Sequence, residues 1–353
     1  MTLTPLTRTG VSHRALSRRH LLAGGLALTG TGLLAACSSG TASRAASASA
    51  SAGGGALTIG LTYTPNIQFA PFYMAKKDGK YATGVELRHH GAQEGLFDAL
   101  QSGQEHLVIA GADEAVVAVS NGSDLVVVGG YYQSYPACLI VPEDSSINTP
   151  ADLKGKTVGT PGRKGETWYA LQLAMDTASL TESDLTIQDI GYTQQAALVG
   201  GKVDAVVGFS NNDAVQVSQS GTAVRTIQVA DQVPLIGVSL VTTRSVLESR
   251  RQDLQSAVKA SIEGMTAFVK DPDAAVEASK EHVQDLADAT QAARAREVAV
   301  ATGKLVSGDG SHPIGSVRVD DFTPMIEFLS SHKLLGDKKT PQAADVCVPL
   351  TAD

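Results

Sequence analysis

The sequence is poor in the residues from which metal sites, disulfide frameworks and nucleic-acid surfaces are built. Only three cysteines, Cys37, Cys138 and Cys347, occur in 353 residues. No Cys-x-x-Cys or His-Glu-x-x-His spacing is present, so neither a structural metal nor a cofactor is expected. Bases are outnumbered by acids, 28 to 36, which argues against a partner made of phosphates. Aromatics are scarce, with one tryptophan, eight tyrosines and seven phenylalanines. No segment after the first 36 residues holds an unbroken apolar run of membrane-spanning length. Glycine-rich stretches lack the spacing of a nucleotide-binding P-loop. No Ser-His-Asp or Cys-His arrangement stands in a catalytic motif context.

Acid is missing altogether from residues 1–36, which hold Arg8, Arg14, Arg18 and Arg19. The apolar run 21–36 is too short to span a bilayer comfortably and ends on Ala35-Ala36. Residues 1–36 are therefore expected to be a signal peptide. Cys37, directly after them, resembles the lipobox cysteine of bacterial lipoproteins, whose thiol is lipidated and becomes the mature N-terminus. Arg18-Arg19 also resembles a twin-arginine export signal. Residues 38–55 are almost entirely Ser, Ala, Gly and Thr and are expected to form a flexible tether. Without the four leader arginines the formal charge moves from −8 to −12. Cys138 and Cys347 are read as two inert thiols or as a pair, and their separation in sequence decides nothing.

From residue 56 onward, short apolar β-rich runs alternate with helical patterns. Strands are expected at 57–63, 85–90, 106–110, 125–131 and 138–141, with helices between them. Asn148 or Thr149, with Pro150 behind it, caps a short helix. A second alternation follows, with strands at 157–159, 185–190, 203–209 and 223–229. A last strand at 236–243 leads into a mainly helical tail. Alternation of this kind implies crossover units and mostly parallel sheets. The expectation is an α/β, two-lobed chain: one lobe from 56–141 plus 237–353, the other from 142–236. Ligands of open α/β sheets sit at the carboxyl ends of strands, so the cleft between lobes is the expected site. No sequence repeat of fixed period appears.

Several aromatics fall at expected strand and helix ends: Tyr63, Phe69, Phe72, Tyr131, Tyr132, Trp168 and Phe209. They are either stacking faces for a flat ring or core. Asp113 and Glu114 open a helix, where backbone N–H groups can face a ligand, although helix starts favour acids anyway. Residues 159–168 form a glycine-rich loop around Gly165 that can cup a polar group, with Trp168 on the next helical turn. Arg163 and Lys164 read as solvated charges in preference to anion ligands. His89-His90 read as packing or surface residues.

Tyr63-Thr-Pro-Asn66, the run 68–75, the Asp-Leu-Lys-Gly-Lys element at 152–156 and Gly208-Phe-Ser-Asn-Asn-Asp213 stand in an order that resembles a substrate-binding lipoprotein of an ABC importer. The group it is most similar to binds thiamine pyrimidine precursors, with sulfonate, nitrate and riboflavin binders as kin. That resemblance implies a type II periplasmic-binding-protein-like fold, working as a monomer with permease and ATPase subunits. It implies Tyr63 under a flat heteroaromatic ring, Phe209 as a second ring contact, and Asn212 and Asp213 bonding the ring's amino group and nitrogens. Apart from that resemblance, Asn66 and Asp113 of the first lobe and Trp168 and Asn211 of the second are expected to complete the contacts. Two departures stand out: Asp213 replaces the family's Glu, and Phe209 replaces its Tyr. An aminopyrimidine is the ligand expected first, a flavin second and a sulfonate-type anion third. Eukaryotic kin that synthesise the pyrimidine use a histidine, at the position of Phe69 here, and a cysteine-rich motif. Neither is present, so a binder is expected and not an enzyme.

Overall fold

The computed structural model describes residues 56–91, 94–230 and 235–351. The expected leader, Cys37 and the tether lie outside the described residues.

The first alternation gives β1 (Leu57–Leu61), α1 (Ala70–Lys77), β2 (Val85–His89), α2 (Asp98–Gln101), β3 (Leu107–Gly111), α3 (Ala112–Ser120) and β4 (Leu125–Gly130). After residues 131–136 come β5 (Ala137–Pro142), β6 (Thr157–Thr160), α4 (Gly165–Thr177), β7 (Thr186–Asp189), α5 (Gln194–Val199), β8 (Ala205–Phe209), α6 (Asp213–Gln219) and β9 (Val224–Ile227). The chain then adds β10 (Val238–Thr243) and six helices: α7 (Arg244–Ser249), α8 (Arg251–Lys270), α9 (Pro272–Ser279), α10 (Ala289–Ser307), α11 (Phe322–Ser331) and α12 (Ala343–Val346).

These strands form two five-stranded sheets of identical plan. The first runs β2-β1-β3-β10-β4 and the second β7-β6-β8-β5-β9. In each, four strands run in the same direction, and the fourth position is held by one antiparallel strand from the other half of the chain. Thus β5 leaves the first block to complete the second sheet, and β10 returns to complete the first. The repetition is one of topology, which is why no sequence period announces it.

One expected boundary moves. The sequence pattern puts residues 137–141 in the first lobe, but β5 pairs with β8 and β9 in the second sheet. The outward crossing is therefore 131–136. The physical reason is pairing: β5 is buried and apolar along Ala137–Val141, and it is in register with the equally buried β8.

Burial follows position in the sheets. Central β3 is buried throughout, and so is β4 at the far edge, which residues 347–350 cover; both read as continuous apolar runs, whereas edge strands β2 and β7 are largely open. At the expected short helix, Thr149 and Asp152 form a capping box over a 3₁₀ turn at Pro150–Leu153. One apolar cluster joins the first sheet to α1, α8 and α10. A second is shared by both lobes, running from Val108 and Val116 through Leu139 and Leu171 to Phe322. The lobes therefore meet across a packed seam where α3 faces α4.

Candidate functional site

The carboxyl ends of β1, β3, β6 and β8 carry the loops that face across the lobes. After β1, Tyr63 leaves its ring 50% exposed, unusual for a large apolar side chain here. Its carbonyl accepts from His89 Nδ1 at 2.9 Å. With that nitrogen protonated, His89 Nε2 accepts from the Tyr73 hydroxyl at 2.8 Å. Burial lowers the His89 pKa, in keeping with this neutral tautomer. His282 stacks on Tyr73 with centroids 3.9 Å apart, tying the helical tail to α1. Asn66 caps the next turn, its Oδ1 accepting from Gln68 N–H at 2.9 Å while its Nδ2 donates to the Thr64 carbonyl at 3.0 Å.

Asn66 also lines a cavity of about 500 Å³ between the lobes. Its far wall is Asn212, Gln216 and Gln195 of the second lobe, and Gln291 and Arg294 of the tail close it. Such a wall offers paired donors and acceptors with little net charge.

After β8, the Phe209 N–H donates to Asp213 Oδ2 at 2.6 Å. Burial pushes the Asp213 carboxyl up to about 6. The side chain expected to reach a ligand ring is thus engaged by its own strand end. Asn212 accepts from Gln216 Nε2 at 2.8 Å on the cavity wall. Asn211, 1% exposed, donates to Thr302 Oγ1 at 2.9 Å and to the Tyr132 hydroxyl at 3.3 Å. Its Oδ1 is buried without a partner among the described residues.

At the seam, Asp113 heads α3 and is wholly buried. The Tyr135 hydroxyl lies 2.7 Å from Asp113 Oδ2 and 3.0 Å from the Glu166 carbonyl oxygen. Gly165 opens α4 at φ +73°, a left-handed backbone that glycine accepts freely. A methyl there would meet Glu114 Oε1 at 2.9 Å. Glu166 follows, buried, and sequence reasoning missed it because an acid in a first helical turn has an ordinary explanation. Among the described residues, no group of three or more His, Cys, Asp or Glu is arranged to hold a metal ion.

Two expected stacking residues are spent on packing. Phe69 is buried in the first core with its ring edge-on to His89, centroids 5.4 Å apart. Trp168 is buried in the shared core, and the Arg163 guanidinium lies 5.0 Å from its ring centroid. Phe209 is half-buried against the same core, and Tyr132 is buried beside Tyr131. Cys138 and Cys347 are free, buried thiols. The amides Gln195, Gln216, Gln219 and Gln291 were also missed; only their placement by α5, α6 and α10 brings them together.

A family model described as NMT1/THI5 like matches residues 66–275. The chain is 30% identical over 237 residues to the riboflavin-binding protein RibY of Chloroflexus aurantiacus, covering 65% of this chain and 67% of that one. It is 23% identical over 310 residues to the formylaminopyrimidine-binding protein of Halalkalibacterium halodurans, covering 86% and 91%. Among solved structures, the periplasmic aliphatic sulphonate binding protein SsuA of Escherichia coli matches with a TM-score of 0.64 at 18% identity, over 81% of this chain and 95% of that one.

Proposed function

We propose, for a chain that belongs to the NMT1/THI5-like family, the role of solute receptor for an ABC-type import system, capturing a flat nitrogen heterocycle between its lobes. The observation that carries this reading is the cavity of about 500 Å³ with Asn66 on one lobe and Asn212 on the other, beside the loop that holds the exposed ring of Tyr63. The ring supplies a stacking face, and the amides supply in-plane donors and acceptors. A ligand touching both lobes favours the closed arrangement and shifts the population toward it.

Riboflavin-type flavins rank first. The amide-lined wall suits a polyhydroxyl chain as well as a ring, and the relative named for riboflavin stands at 30% identity against 23% for the one named for a formylaminopyrimidine. An aminopyrimidine is the second reading, favoured by the Asn212–Gln216 pair on the cavity wall. A sulfonate-type anion fits worst, because Asp285 offsets Arg294, the one cation on the cavity wall among the described residues.

In the cell, we assign residues 1–36 to an export signal and Cys37 to lipidation. Residues 38–55 then leash a monomeric receptor beside its permease and ATPase. A thermal-shift screen with riboflavin, formylaminopyrimidine and an alkanesulfonate tests the ligand class. Ligand at 100 times its Kd adds about 2.7 kcal/mol of stability. A shift with the alkanesulfonate alone would overturn the heterocycle reading.

A further inference from the structure

The seam between α3 and α4 holds more carboxyl groups than a dry contact tolerates. A methyl group in place of a Gly111 hydrogen would sit 2.6 Å from Asp113 Oδ1, 2.8 Å from Glu114 Oε2 and 3.1 Å from Glu166 Oε1. Three carboxyl groups, two from one lobe and one from the other, therefore converge within about 6 Å of one another. Glu166 is 6% exposed, and its Oε1 has no hydrogen-bond partner among the described residues. An acceptor without a donor, held among other acceptors, is a place for a proton.

The groups facing this cluster do not neutralise it. Tyr135 presents its hydroxyl to Asp113, and Tyr169 and Tyr132 lie within electrostatic reach. Lys164 acts on Glu114 alone and lowers its pKa, yet burial outweighs it and holds that carboxyl at about 7. Burial, and then the neighbouring acids, hold Asp113 and Glu166 well above the ordinary carboxylate range.

We propose that closure of the two lobes is coupled to proton uptake at the Asp113–Glu114–Glu166 seam, so that solute capture is itself a proton-binding step. Opening would carry Glu166 away from Asp113 and Glu114, admit water and return each group toward its ordinary pKa. The sign follows from linkage. The closed form binds more protons, so it is favoured at low pH and loses that advantage as pH rises through the closed-state values. This rests on the proposed receptor function only for its choice of solute.

Trp168 is the sole tryptophan and lies two residues from Glu166, so its fluorescence reports on the seam without any solute. The ligand-free protein should show a Trp168 transition between about pH 5 and 8, weakened in Glu166→Gln and absent in the double variant Glu114→Gln, Glu166→Gln. With riboflavin as probe, calorimetry in buffers of different ionisation enthalpy should give uptake of at least about one proton near pH 6. Affinity should fall about tenfold per pH unit for each proton taken up. Circular dichroism checks that the neutral variants fold. A flat Trp168 profile with riboflavin bound at no proton cost would overturn the proposal while leaving the receptor function standing. An unchanged profile in the double variant would overturn it equally. If riboflavin fails to bind but the Trp168 transition appears and vanishes in the double variant, the seam is supported and the solute assignment alone fails.

Discussion

Asn211 Nδ2 donates to Thr302 Oγ1 at 2.9 Å, and this bond joins the end of the second lobe's central strand to the long tail helix α10. Both residues are buried, so water cannot replace either partner cheaply. The bond therefore reports on closure.

Thr302→Val should loosen the closed state, because it leaves the Asn211 amide with only the 3.3 Å contact to Tyr132. A stranded buried donor costs about 1–3 kcal/mol, which corresponds to roughly 5- to 150-fold weaker solute binding. Titration calorimetry beside circular dichroism separates this from misfolding. Unchanged affinity would remove Asn211 from the closing contacts.

Tyr63→Ala should weaken solute binding at least about fivefold while leaving the melting temperature within about 1 °C, since a half-exposed ring contributes little to the core. Phe69→Ala should do the reverse, lowering the melting temperature because that ring is packed in the first core. Differential scanning calorimetry and a binding titration on the same samples distinguish the two.

Glu105→Ala should be strongly destabilising. The carboxylate is fully buried, accepts from Arg88 Nη1 at 2.7 Å and lies 3.0 Å from His90 Nε2. Removing it strands buried His90 and leaves Arg88 with Glu94 alone, at a cost of about 2–3 kcal/mol. Gly60 is bound to the same feature, because a methyl there would lie 2.1 Å from Glu105 Oε2. Urea unfolding measures the loss; a loss below about 0.5 kcal/mol would contradict the assignment.

Stability should be greatest in mildly acidic solution. Glu114 and Asp213 are raised from 4.5 and 3.8 to about 7 and about 6. The unfolded chain releases those protons first, so stability falls as pH climbs from the ordinary values toward the folded ones. Glu94, Asp152 and Asp184 are lowered, by Arg88 and by capping N–H groups, so they contribute above their ordinary values and lose that contribution in acid. His89, His106 and His282, lowered by burial, withdraw stability below about pH 6.5, where the unfolded chain takes up their protons. Melting temperature should thus peak between about pH 5 and 6.5 and decline toward pH 8. A steady rise over that interval would contradict the raised values.

Much of the fold is legible in the sequence because short apolar runs such as Leu125–Gly130 and Ala137–Pro142, rich in β-branched residues and ending on Gly or Pro, read as buried strands by their length and flanks. What stays hidden is partnership. Nothing local in Ala137–Pro142 says that it pairs with Ala205–Phe209 and leaves the strand before it. The site divides the same way. Asn66 and Asn212 are legible as polar residues at strand ends, and the cavity brings both to one space. Trp168 looks free in sequence but faces the core, and Asp213 looks free but is bonded to Phe209 N–H. Glu166 was invisible because its meaning lies in Asp113 and Glu114, more than fifty residues away and in the other lobe.

The central claim is that the cleft holds a flat nitrogen heterocycle. Quenching of riboflavin fluorescence by the folded chain, with formylaminopyrimidine as competitor, tests it most directly. The account predicts saturable one-to-one binding of at least one of the two with a Kd at or below about 1 µM, weakened in Tyr63→Ala. Absence of saturable binding or competition up to about 1 mM would contradict it.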